Sequence, residues 1–61
     1  MPMSGKEVVR LLLANGWQLD RINGSHYIMA KGNQTLVVPV HGSQDMKPGL
    51  LNAILKQAGL K

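Results

Sequence analysis

Apolar residues recur at helical spacing at both ends of the chain and alternate with polar ones between. Near the start, Val8 and Leu12 centre an apolar stripe flanked by Val9 and Leu11, with Lys6, Arg10 and Ala14 on the opposite side. Ser4-Gly5-Lys6-Glu7 reads as a capping box: the Ser4 hydroxyl accepts from the Glu7 amide, and Glu7 reaches back to the Ser4 amide. Met3 and Val8 stand at the two positions of a hydrophobic staple, and residues 1–3 (Met1, Pro2, Met3) read as a frayed end. The helix is predicted to run to Asn15. Gly16 then takes the left-handed position after the cap, and Trp17 packs back on Leu12.

Residues 17–22 alternate apolar and polar through Arg21 and predict a half-buried strand. Asn23-Gly24 is the strongest hairpin signal in the chain. A second strand over 25–31, a Gly32-Asn33 turn and a third strand over 34–40 complete an antiparallel meander. Pro39 cannot donate to a ladder, so the third strand ends there or lies at an edge. Residues 41–45 read as a loop. Lys47-Pro48-Gly49 opens a second helix, where Leu51, Ile54, Leu55 and Ala58 follow the i, i+3, i+4, i+7 pattern before Gly59 and Leu60. The expected class is α+β in the order α-β-β-β-α. A three-stranded antiparallel sheet carries two helices on one face and leaves the other open.

A two-residue Gly32-Asn33 turn sets Lys31 opposite Gln34. Tyr27 then faces Val38 and Met29 faces Leu36, and this large, mostly apolar set fits under the helices. On the other face Ala30 meets Thr35, Ile28 meets Val37 and His26 meets Pro39. His26 therefore stands at a strand start on the open side, next to the Asn23-Gly24-Ser25 corner.

Composition narrows the chemistry. The chain has 61 residues, 7 Lys+Arg against 3 Asp+Glu, a net charge of +4 and no Cys. That length fits a single domain over 1–61. Without Cys there is no disulfide, thiolate zinc site or thiol nucleophile. No long apolar run is present, so neither a membrane span nor a signal peptide is expected, and a cytoplasmic protein is. The basic balance points toward polyanions, with the helix-free side of the sheet as the expected surface. Lys6, Arg10, Arg21, Lys31, Lys47 and Lys56 are candidate phosphate contacts. Lys47 is favoured among them because it starts a helix, where the macrodipole also attracts anions. No metal site and no cofactor are expected, because Asp20 and Asp45 show no ligand spacing to His26 or His41. No nucleotide-binding glycine loop or nucleophile elbow is present. One reaction suits so sparse an inventory, namely metal-free RNA cleavage. RNA carries its own nucleophile in the 2′-hydroxyl, and an imidazole needs only to take that proton.

Three segments resemble the HicA (YcfA-like) toxins of bacterial and archaeal toxin–antitoxin modules. They are the helix ending in Asn15-Gly16-Trp17, the run Gly24-Ser25-His26-Tyr27-Ile28-Met29, and the stretch from Val38-Pro39-Val40-His41 through Lys47-Pro48-Gly49 to Gly59-Leu60. In the last segment Leu50, Asn52 and Ala53 stand where Thr, Arg and Ser are common, which takes a basic side chain out of that helix. The resemblance implies a double-stranded-RNA-binding-domain-like fold and an mRNA-cleaving toxin inhibited by a HicB-type antitoxin. It also implies that His26 is the catalytic residue, with His41, Ser25 and Gly24 as accessories. A non-catalytic RNA-binding module is the alternative. It would bind RNA through 2′-hydroxyl and phosphate contacts without needing His26.

Overall fold

Ser4 caps a ten-residue helix, α1 (Gly5–Ala14), in the computed structural model, which describes residues 3–61. The Glu7 amide donates to the Ser4 hydroxyl at 3.3 Å, and the Ser4 amide donates to the Glu7 carboxylate at 2.9 Å, completing the expected capping box. At the other end the Trp17 amide donates to the Leu12 carbonyl at 3.0 Å and the Gly16 amide to the Leu13 carbonyl at 3.4 Å. These two bonds make a Schellman motif and bring buried Trp17 back toward Leu12. The second helix, α2 (Pro48–Gln57), ends the same way, with Leu60 bonded to Leu55 at 2.9 Å and Gly59 to Lys56 at 3.1 Å.

Three strands lie between the helices: β1 (Gln18–Asn23), β2 (His26–Lys31) and β3 (Gln34–Pro39). They form an antiparallel sheet in chain order, with β2 in the middle. The β2–β3 register is the expected one from Lys31↔Gln34 to His26↔Pro39, and β3 both lies at an edge and stops at Pro39. The alternation decides which face is buried. Met29, Leu36 and Val38 enter the core with Val8 and Leu12 of α1 and Leu51 and Ile54 of α2. Both helices therefore cover one face of the sheet, giving the α+β order α-β-β-β-α.

The first hairpin departs from expectation by one residue. Asn23 pairs with His26, so the turn residues are Gly24 and Ser25, and β2 begins at His26 rather than Ser25. An Asn-Gly turn needs positive φ at both residues, whereas here only Gly24 has it, at 63°. Asn23 is freed to extend the strand.

The half-buried strand expected over 17–22 is also corrected. The strand starts at Gln18 and all six of its residues are exposed, while Trp17 just ahead of it is buried. β1 is an edge strand with a bulge at Asp20: Leu19 pairs with Met29, but Arg21 pairs with Ile28. The bulge sets Leu19 and Ile22 on the helix side together, opposite Met29 and Tyr27. There α1 approaches all three strands but α2 approaches only β3, so Leu19 and Ile22 stay 42% and 51% exposed.

Residues 41–45 do form the expected loop, but its end is pinned to the chain start. The Met46 amide donates to the Met3 carbonyl at 2.7 Å, and Ser4 and Asp45 form an isolated antiparallel bridge. Met46 is buried in the core and Met3 packs against it, so Met3 is held rather than frayed. The rest of the expected frayed end, Met1 and Pro2, lies outside the described residues. The same junction explains Gly5, whose lack of a side chain allows a close approach. A Cβ there would overlap the Pro39 carbonyl oxygen and come within 2.9 Å of the Val40 Cα. The start of α1 thus sits directly on the end of β3.

Candidate active site

His26 opens β2 and is exposed. Its register neighbours are Asn23 on β1 and Pro39 on β3, which form the end row of the helix-free face. Ser25 and Gly24 form the adjoining turn, and the space around Gly24 is open to 4 Å. One backbone bond extends the pairing past β3: the Val40 amide donates to the Ser25 carbonyl at 2.7 Å. The residue before His26 is thereby tied to the residue before His41.

His41 is exposed and starts a turn closed by the Gln44 amide, which donates to the His41 carbonyl at 3.1 Å. It lines a cavity of about 220 Å³ between the chain start, the end of β3 and the start of α2. Gly5, Pro39, Met46 and Leu50 contribute carbon surface to this cavity. Its polar groups come from His41, Gln44, Asp45 and Lys47. His26 is not part of that lining. Pro39 belongs to both places, as the register partner of His26 and as a wall of the cavity.

The six candidate cations are all exposed but serve different places. Arg21 alone stands on the helix-free face, as the partner of Ile28, and its guanidinium lies 3.4 Å from the exposed Asp20 carboxylate. Lys6 and Arg10 lie on α1, and Lys56 is in the last turn of α2. Lys47 is the N-cap residue of α2 and makes no side-chain capping bond. Lys31 belongs to the helix side by strand parity, and its ammonium donates to the Asn15 carbonyl at 3.0 Å. It places a positive charge at the C-terminal end of α1, where the dipole favours one. The helix-free face is therefore not the basic face expected from composition. Its middle is apolar, with Val37 half-exposed and Ile28 buried in register between Arg21 and Val37. Most of the cations lie in the helical layer and at the ends of the sheet.

Gly5, Gln44, Asp45 and Met46 escaped the sequence reading as parts of this region. No local signal marks them, because they meet only through the contact between the chain start and the loop after β3. Among the described residues no three His, Cys, Asp or Glu side chains gather into a group that could hold a metal. Among those same residues no helix is long and apolar enough to cross a membrane.

An α-β-β-β-α frame thus carries an exposed histidine at one end of its middle strand, with a small cavity nearby. The chain belongs to the HicA toxins of bacterial toxin–antitoxin systems, whose family model matches residues 5–60. A relative from Pseudomonas fluorescens (strain Pf0-1), named "Probable mRNA interferase HicA", is 37% identical over 59 residues, covering 97% of this chain and 98% of that one.

Proposed function

We propose that this chain is the toxin of a type II toxin–antitoxin module and an endoribonuclease that cuts mRNA in the cytoplasm without a metal ion. His26 is the general acid/base, and a HicB-type antitoxin silences it. The observation that carries this reading is the position of His26, exposed at a strand end beside a turn of small residues. An RNA backbone can approach such a corner closely, as it could not approach a histidine packed in a core.

The chemistry needs little else. A neutral imidazole at His26 takes the proton of a ribose 2′-hydroxyl, and the 2′-oxygen forms its bond to phosphorus. The bond from phosphorus to the 5′-oxygen breaks, and that oxygen leaves with a proton. The ends produced are a 2′,3′-cyclic phosphate and a 5′-hydroxyl. One imidazole cannot supply both proton transfers in a single step. His41 and Lys47, which line the cavity that Pro39 also lines, are the candidates for the second. Lys47 and Arg21 are further suited to hold phosphates, where cations offset charge developing on the phosphorane. Gly24 and Ser25 act by leaving room at the corner. An antitoxin that brings acidic groups over His26 and Lys47 would block both catalysis and RNA binding.

The test compares RNA cleavage and RNA binding for wild type and His26→Ala, with product ends mapped. Cleavage is expected to be lost and binding kept. Equal loss of both would make His26 structural, and cleavage by the variant at the wild-type rate would place the catalytic group elsewhere. RNA binding without cleavage by either protein would leave a non-catalytic binding module.

A further inference from the structure

The cavity beside Pro39 has features that proton transfer at His26 does not use. We propose that it is a subsite for one nucleobase of the RNA strand, selecting a base with an exocyclic amino group at ring position 4 or 6. The inference rests on the RNA-cleaving reading above and adds a specificity determinant to it.

Size comes first. At about 220 Å³ the cavity is smaller than the roughly 300–1,000 Å³ of sites for larger ligands, and suits one planar ring system. Its surfaces match the two faces of a base. Pro39, Met46 and Leu50 offer carbon. Leu50 is 43% exposed in the first turn of α2, an awkward place for a leucine unless its side chain covers something. The edge of a base would meet Asp45 and Gln44. An ionised carboxylate only accepts hydrogen bonds, and the Gln44 side-chain amide has no partner among the described residues. Asp45 therefore favours the amino group of cytosine or adenine and repels the carbonyl oxygen that uracil presents in the same place.

Charge and position agree with this assignment. Lys47 lies on the cavity at the uncapped positive end of α2, where the phosphate of the same nucleotide would be attracted. Pro39 is the register partner of His26, and antiparallel partners stand only ~4.5–5.5 Å apart at Cα. The cavity wall at Pro39 is therefore one strand spacing from the His26 backbone, within reach of one RNA strand that spans both. An acidic side chain from a protein partner would suit Lys47 but would leave Asp45 and the carbon walls unused. A nucleotide engages all three.

The test uses 2′-O-methyl hexaribonucleotides of A, C or U, which lack the nucleophile and cannot be cut. Each is titrated into the full chain, and backbone amide shifts are followed by NMR. With the A and C oligomers, the amides of residues 41–47 and of Leu50 are expected to move. Affinity for C over U should be about tenfold. Asp45→Asn, which gains a donor, should bring that ratio close to one. Leu50→Asp should weaken all three oligomers. Denaturation followed through Trp17 fluorescence identifies folded variants. Equal affinity for C and U, shifts confined to the helix-free face, or an unchanged ratio in Asp45→Asn would overturn the proposal. So would cavity shifts seen with an acidic peptide but not with RNA. Because nothing is cleaved, the outcome is independent of whether His26 is catalytic.

Discussion

The Val40 amide donates to the Ser25 carbonyl at 2.7 Å, so one backbone bond ties together the segments that carry His26 and His41. Each histidine directly follows one partner of that bond. In the proposed reaction His26→Ala should lower cleavage by roughly 10²–10⁴-fold, the usual contribution of a general acid or base. His41→Ala should cost less, because Lys47 or water can supply the second proton. Single-turnover cleavage of a defined RNA measures both, and a larger loss in His41→Ala would exchange the two roles.

Gly5→Ala should destabilise the fold although alanine favours helices. The added methyl meets the Pro39 carbonyl and the Val40 Cα, both backbone, so neither can swing aside. Overpacking of this kind costs about 1–3 kcal/mol. Urea denaturation followed by Trp17 fluorescence should show a lowered midpoint. An unchanged midpoint would mean that the α1–β3 junction is looser than described.

The capping box should impose a pH dependence. The Glu7 carboxyl is held below its ordinary value, first by the Ser4 amide and then by the Ser4 hydroxyl. A lowered folded-state value means that this contribution is complete above the unfolded-chain value and is lost as pH falls through the folded one. Stability should therefore decline toward acid, and Glu7→Gln should flatten that part of the profile. Ser4→Ala removes the cap itself, at about 0.5–2 kcal/mol. Chemical denaturation over a series of acid buffers checks the set.

Lys31 and Lys47 should separate stability from RNA affinity. Lys47→Ala should reduce the salt slope of RNA binding by about 0.7, the loss of one phosphate contact on a single strand. Lys31→Ala should leave the slope alone and cost about 0.3–1 kcal/mol of stability, because its ammonium completes the end of α1. Fluorescence anisotropy across a salt series distinguishes them, and equal slopes for the two variants would count against Lys47 as a phosphate contact.

Cleavage should survive EDTA, since the proposed chemistry uses the ribose hydroxyl and an imidazole. Activity abolished by EDTA and restored only by Mg²⁺ or Zn²⁺ would refute the mechanism.

Where the physics is local, the sequence alone determined the outcome. Ser4 with Glu7, Gly16 with Trp17 and Gly59 with Leu60 mark helix ends, because capping bonds span only a few residues. The Gly32-Asn33 turn and the alternation beyond it determined the β2–β3 register, and with it the face that carries His26. What only the tertiary structure decided depends on residues far apart in the chain. The bulge at Asp20 sets both Leu19 and Ile22 on the helix side, which strict alternation would not do. The anchoring of Met3 by Met46, the need for glycine at position 5 and the cavity shared by Asp45 and Lys47 all arise where the chain start, the loop after β3 and α2 converge. Lys31 looked like any other surface cation until the fold brought it to the end of α1. Periodicity encodes which face a residue takes, but packing between distant segments sets which neighbours it meets there, and those neighbours determine what its charge can do.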